Sequence, residues 1–125
     1  MSGWAALGAT VGLGALGAVV RYLLTLSWVR RGGTAAVAIA LINSLGCFLI
    51  GILGVSWGGA QSALVAAGFV GSLTTLSSLS VDVAELARRR KLRDAFSLLG
   101  LHVFGGFAGY GLGLLVGHGA LALVG

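Results

Sequence analysis

The chain has 125 residues, of which 58% are hydrophobic, 9% are charged and none is proline. These values exclude an ordinary soluble domain and predict an all-α integral membrane protein, because a spanning helix needs about 20 predominantly apolar residues. Four apolar runs fill most of the length. We therefore predict a single transmembrane domain, residues 1–125, with helices at approximately 3–29, 34–57, 60–86 and 95–124.

Basic side chains are concentrated in two of the predicted loops. Arg30 and Arg31 separate the first two helices, and a second cluster separates the last two: Arg88, Arg89, Arg90, Lys91 and Arg93. The positive-inside rule predicts a multi-pass cell-membrane protein with loops 30–33 and 87–94 in the cytoplasm and both termini outside. We therefore interpret the basic residues behind the net charge of +5 as topology signals that contact anionic lipid, and not as a nucleic-acid binding site.

In the first helix, Arg21 lies about two turns before the basic loop. It can snorkel to the cytoplasmic interface as a further topology signal. Alternatively, it places a fixed positive charge at the mouth of an aqueous vestibule and attracts anions, since arginine keeps its proton. The residues alone leave both interpretations open.

The second helix places Asn43 near the middle of the membrane. An asparagine there can join two helices by hydrogen bonds. Its NH₂ group can instead offer two donors to an anion that has lost its water. These two roles cannot be separated from the chemistry of the residue.

The third run contains the most polar uncharged stretch of the chain, residues 68–82, with six Ser and Thr hydroxyls. Polar or irregular backbone survives at membrane depth only where it is buried in protein or faces a cavity, so this stretch is a candidate pore or ion-site element. The alternative is a continuous helix whose hydroxyls bond back to the preceding turn. If the helix breaks, the freed carbonyls could bind a hard cation such as Na⁺.

The fourth run carries glycines at every fourth position, which predicts close packing against another helix: Gly105, Gly109, Gly113 and Gly117. A lone histidine such as His102 on this run is more typical of a hydrogen-bonded packing residue than of a ligand. No cluster has metal-ligand spacing, and no nucleophile lies near a base in the sequence. We therefore predict that the protein is not an enzyme.

Three segments together resemble the Fluc (CrcB) family of fluoride channels: residues 14–22, residues 41–48 with Gly51, and residues 68–80. The resemblance implies four-helix subunits in an antiparallel, dual-topology type of dimer, with the third helix broken and a structural Na⁺ at the dimer centre. It implies that backbone carbonyls of Gly71 and Thr74 hold the Na⁺ and that Arg21 lies at the vestibule. The implied anion pathway includes Asn43, Ser77, Ser78, Leu76, Leu79 and His102.

Three of these positions depart from the family pattern. Leu76 and Leu79 stand where the family usually has phenylalanines, and His102 stands where a tyrosine is common. Leucine lacks the electropositive ring edge that can face an anion. A chain with one-sided loop charge also cannot readily insert as its own inverted partner. We therefore predict a fluoride channel subunit paired with a dissimilar, homologous subunit; the alternative is a homodimeric fluoride channel.

Two other classes fit the size of the chain less well. A small proton-coupled multidrug exporter needs an acid within the membrane, and the first helix has no Asp or Glu. A non-conducting membrane scaffold would explain the glycine faces. It would not explain a midplane asparagine next to a run of hydroxyls.

Overall fold

The computed structural model describes residues 2–56 and 59–124, and every regular element among them is a helix. In chain order these are α1 (Gly3–Arg30), α2 (Ala35–Ser56), α3 (Ala60–Val65), a π-helical turn (Ala66–Val70), α4 (Gly71–Leu73), α5 (Leu76–Arg88) and α6 (Leu92–Val124). The elements from α3 to α5 form one interrupted span, hereafter the third span. The prediction of an all-α protein with four spans and a broken third helix is confirmed. The predicted end of the second helix at residue 57 lies outside the described residues.

Helices α2 and α6 pack closely through the glycine repeat of α6. A Cβ at Gly109 would collide with the Ser44 carbonyl, and one at Gly113 would collide with the Phe48 carbonyl. At Gly117 the space is filled by Val55. The predicted close packing is confirmed, and the residue numbers rise together along both helices, so α2 and α6 run parallel.

Helix α1 packs in the same way against the third span. Gly17 lies against Ser72, with no room for a Cβ, and Gly68 lies against the Thr10 carbonyl. Here too the residue numbers rise together, so α1 runs parallel to the third span. The first and third spans therefore run in the same direction.

The connections after α1 and before α6 are short turns. Gly32 (φ 91°) and Arg90 (φ 58°) adopt the left-handed conformation that reverses the chain. Together with the parallel pairs, these turns put the basic residues 30–31 and 88–93 at the same end of the bundle.

The core lies where α2, α6 and the interrupted third span meet. Its buried apolar residues are Ala38, Ile39, Ala40, Ile42, Val70, Leu73, Leu79, Ala95 and Leu98. By contrast, large apolar side chains on α1 and α6 are exposed, including Trp4 and Phe107. An apolar exterior is expected for a protein whose surroundings are lipid.

Candidate functional site

The third span is interrupted at Thr74 and Thr75. Both residues are extended (φ −83°, ψ 158° and φ −153°, ψ 126°), a conformation that suits β-branched side chains. Thr74 is the C-cap of α4, and its Oγ1 donates back to the Val70 carbonyl (3.1 Å). Thr75 Oγ1 accepts from the Ser78 amide (3.4 Å) and so caps the start of α5. The two threonines therefore end one half-helix and begin the next.

Asn43 of α2 holds the interruption from one side. Its Oδ1 accepts from the Thr75 amide (2.9 Å), and its Nδ2 donates to the Thr75 carbonyl (2.9 Å). The interhelical role considered for Asn43 is thus present in the structure. One N–H of the amide remains beyond these two bonds, so the anion-donor role stays a prediction.

The Asn43 contact also changes the hydrogen bonding of Gly71. In an uninterrupted helix the Thr75 amide would donate to the carbonyl four residues earlier, which is that of Gly71. Because this amide donates to Asn43 instead, the Gly71 carbonyl loses its helical donor. A backbone oxygen is thereby freed at membrane depth.

Arg21 of α1 holds the interruption from the other side. Its Nη1 donates to the carbonyls of Ser72 (2.9 Å) and Thr74 (3.2 Å) at the end of α4. These carbonyls lie at the negative end of the half-helix dipole, where a cation is stabilised. The vestibule role predicted for Arg21 stays a prediction, since in the single chain the guanidinium is engaged at the break.

Sequence reasoning assigned no role to Ser72, which joins α1 to the third span. Its Oγ donates to the Gly14 carbonyl (2.7 Å) and also lies 3.2 Å from the Phe69 carbonyl. A small glycine on one helix and a hydroxyl residue on another could have suggested this contact, because Gly17 leaves the space that the Ser72 side chain fills.

The carbonyls of Gly71 and Thr74 suit the Na⁺ that the resemblance implies. Hard cations prefer oxygen ligands, and unwound backbone carbonyls bind Na⁺ in other membrane proteins. The Gly71 oxygen has lost its helical donor, and the Thr74 oxygen accepts a single N–H from Arg21, which leaves one lone pair. Both carbonyls therefore keep a lone pair of the kind that Na⁺ prefers, and the Na⁺ site itself stays a prediction.

A groove of about 370 Å³ lies beside the interruption, between α2, the third span and α6. It is lined by four of the six predicted pathway residues, Asn43, Leu76, Leu79 and His102, together with Cys47, Ile50, Thr74, Thr75 and Val103. Leu76 is 73% exposed and Leu79 only 8% exposed. The structure thus brings together the amide, the histidine and the two leucines that differ from the family pattern.

Ser77 and Ser78 face a different space. They line a second cavity of about 410 Å³ with Thr25, Ala35, Ile39, Val81 and Asp82. Within the single chain they do not share the groove with Asn43. Thr25 was not singled out by the sequence, yet its Oγ1 is buried and has no hydrogen-bond partner among the described residues.

Comparison with known proteins places this arrangement in a family. The sequence profile of the family described as "CrcB-like protein, Camphor Resistance (CrcB)" matches residues 8–114. The chain belongs to the CrcB family. The matched residues include both sides of the break, the groove and the second cavity.

Curated CrcB relatives cover most of the chain. A Haemophilus ducreyi protein named "Fluoride-specific ion channel FluC" is 39% identical over 109 residues, which is 85% of this chain and 87% of the relative. A Synechococcus protein named "Fluoride-specific ion channel FluC 2" is 38% identical over 110 residues, covering 86% and 77%. A Rhodococcus jostii protein of the same name is 38% identical over 101 residues, covering 80% and 88%.

Membership of the CrcB family decides two of the sequence predictions. Its curated members are named as ion channels, so the prediction that the chain is not an enzyme is confirmed. The four apolar helices and the channel relatives together make it a multi-pass membrane protein.

Proposed function

We propose that this CrcB chain is a subunit of a fluoride-selective channel, which lets F⁻ leave the cell passively across the cytoplasmic membrane and so confers fluoride resistance. The observation that carries the proposal is the groove beside the break, where an amide, the start of a half-helix and a histidine meet inside an apolar bundle. The names of the curated relatives supply the identity of the anion.

Fluoride is small and strongly hydrated, so a channel must replace the water that it removes. The remaining N–H of Asn43 is one donor on the groove. A second source is the start of α5, where backbone amides and the positive end of the helix dipole favour an anion. The groove therefore has the polarity that anion transfer needs, and none of its lining residues carries a fixed charge that would trap the ion.

The proposal includes a structural Na⁺ held by the carbonyls of Gly71 and Thr74. When bound, it would supply a positive charge and coordinate oxygens that lack helical donors. The neighbouring residues of this chain have separate tasks. Arg21 satisfies the end of α4, and Asn43 keeps Thr75 out of the helix.

We further propose that the chain works as an antiparallel dimer with a dissimilar, homologous subunit. Both basic loops lie at one end of the bundle, which favours one orientation, with loops 30–33 and 87–94 in the cytoplasm and the termini outside. In this scheme the partner is inserted the other way round. It would supply the aromatic edges that Leu76 and Leu79 lack, on the side where Leu76 is exposed.

The test is fluoride efflux from liposomes, followed with a fluoride electrode. The vesicles contain either this chain alone or the chain with the homologous subunit that co-purifies from its native membrane. We expect efflux above protein-free vesicles only with both subunits. Full efflux from the chain alone would refute the obligate pairing and leave a homodimeric channel. No fluoride efflux from any combination would refute the channel itself.

A further inference from the structure

A separate groove of about 240 Å³, hereafter the α1–α2 groove, lies between the end of α1 and the start of α2. The buried side chains of Ala38 and Ile42 form its floor, and half-exposed leucines form its walls: Leu24, Leu41 and Leu45. From Ala38 to Leu45, α2 rises about 10 Å. The α1–α2 groove therefore leads from the turn between the helices toward the interior of the membrane.

The rim of the α1–α2 groove at the turn is polar. It carries Ser27, Trp28 and Arg31. Trp28 is 39% exposed, and its indole packs against Gly33, where a Cβ would collide with the ring. An indole combines an apolar ring with an N–H donor, which suits the boundary between hydrocarbon and water. The rim thus offers a cation and a donor directly above an apolar floor.

The arginines of this turn differ from those of the second basic cluster. All acidic residues of the chain belong to α5 and α6, and Glu85 of α5 forms ion pairs with Arg88 and Arg89. The turn after α1 has no acidic residue, and Arg30 and Arg31 form no ion pair among the described residues. Their charge is therefore left for an anion from outside the chain.

We propose that the α1–α2 groove binds one anionic phospholipid from the leaflet that meets the basic turns. One acyl chain lies in the apolar part of the groove. The phosphate accepts hydrogen bonds from the guanidinium of Arg31, whose planar donors match phosphate oxygens, and from the indole N–H of Trp28. This inference is independent of the proposed channel activity.

The dimensions and chemistry of the α1–α2 groove favour a lipid over other occupants. Its volume spread over about 10 Å gives a mean cross-section of roughly 24 Å², much less than that of a helix about 10 Å in diameter. A hydrocarbon chain therefore fits where a helix of another protein does not. A soluble anion would reach Arg31 but would leave the apolar floor unfilled. Only an amphiphile uses both parts.

The turn contains a matched control. Arg30 precedes Arg31 in the chain, carries the same charge and is likewise exposed, but it does not line the α1–α2 groove. General attraction between the turn and an anionic membrane surface depends on both arginines equally. A built site depends on Arg31 much more than on Arg30.

The experiment uses the full chain in phospholipid vesicles, with Trp28 as the sole tryptophan after Trp4→Phe and Trp57→Phe. All vesicles contain the same mixture of phosphatidylglycerol and phosphatidylcholine. Brominated acyl chains, which quench tryptophan fluorescence on contact, are carried by phosphatidylglycerol in one set and by phosphatidylcholine in the other. We expect quenching of Trp28 to show a preference for phosphatidylglycerol of roughly three- to tenfold.

Arg31→Gln should remove most of this preference, whereas Arg30→Gln should keep most of it. Equal losses in the two variants would attribute the preference to general surface charge and overturn the proposal. Equal quenching by the two brominated lipids would also overturn it, and quenching by neither would mean that protein covers the groove. Replacing chloride by inorganic phosphate at equal ionic strength should change nothing. Loss of the preference in phosphate would overturn the proposal in favour of a site for the soluble anion.

Discussion

Replacing Asn43 by alanine tests whether the amide holds the break in the third span. The substitution removes both hydrogen bonds to Thr75, each 2.9 Å long. It leaves the Thr75 amide and carbonyl without the partners that keep them extended. We expect a less stable protein whose third span has a greater tendency to close into a continuous helix.

The magnitude follows from counting those groups. Side-chain hydrogen bonds between membrane helices average about 0.6 kcal/mol, so the two bonds account for about 1.2 kcal/mol. An orphaned buried group adds about 1–3 kcal/mol where water does not reach it. Thr75 is only partly buried, so water offsets some of that cost. With that offset, the expected loss in unfolding free energy is about 1–3 kcal/mol.

The assay is equilibrium unfolding in mixed detergent micelles followed by circular dichroism, combined with hydrogen exchange at the Thr75 amide. Ser44→Ala is the matched control. Ser44 neighbours Asn43, but its Oγ donates only within its own helix, to the Ala40 carbonyl (2.9 Å). We expect this control to cost well under half as much and to leave Thr75 exchange unchanged. Equal losses for both variants, or unchanged Thr75 exchange in Asn43→Ala, would refute the reasoning.

Three further tests address separate parts of the structure. Gly113→Ala should lower the unfolding free energy by about 1–3 kcal/mol, because its Cβ meets the α2 backbone, whereas Gly111→Ala, with open space, should not; equal effects would contradict the packing. In fluoride efflux measurements, Leu76→Phe should increase the rate without loss of stability, because Leu76 is exposed. Leu79→Phe should overpack a buried site and lower the unfolding free energy by about 1–3 kcal/mol. If neither variant increases the flux, the absence of aromatic rings at these positions is not what limits fluoride conduction. Arg21→Gln should destabilise the end of α4 by about 1–3 kcal/mol in the same unfolding assay, and an unchanged midpoint would place the guanidinium elsewhere.

The spans and the helix contacts were predictable because each follows from a local pattern. Apolar runs gave four spans, and the spacing of glycines on the last run predicted its contact with another helix. A break in the third span was suggested by its run of Ser and Thr hydroxyls and by the resemblance together. These features can be predicted without knowing which helices are neighbours in the structure.

The partners of Asn43 and Arg21 could not be predicted, because they depend on the arrangement of the helices. An amide can serve a neighbouring backbone or an ion equally well, and only the placement of α2 against Thr75 decides. The vestibule role of Arg21 stays a prediction, and its contact with the carbonyls follows only from the packing of α1 against α4. The sequence around Asn43 or Arg21 contains no pattern that would indicate either contact.

In contrast, the helical period alone could have predicted that Ser77 and Ser78 do not face the groove. Residues three apart share a helix face, so Leu76 and Leu79 face together, and Ser77 and Ser78 turn away from them. The structure has this arrangement, with the leucines on one cavity and the serines on another. A list of consecutive pathway residues ignored that four neighbours on a helix cannot all face one groove.

One interruption can serve ions of both signs because a broken helix exposes two opposite ends. The end of α4 presents carbonyls, which here attract Arg21 and suit Na⁺, and the start of α5 presents amides, which suit an anion. Asn43 links the two functions, since the bond that extends Thr75 is also the bond that frees the Gly71 oxygen. Loss of this side chain would allow Thr75 to donate to Gly71 again, which would remove the proposed Na⁺ ligand together with the amides that we propose face the anion. An uninterrupted helix of the same composition would hide both sets of groups, so the proposed ion recognition at this depth depends on the break more than on any one side chain.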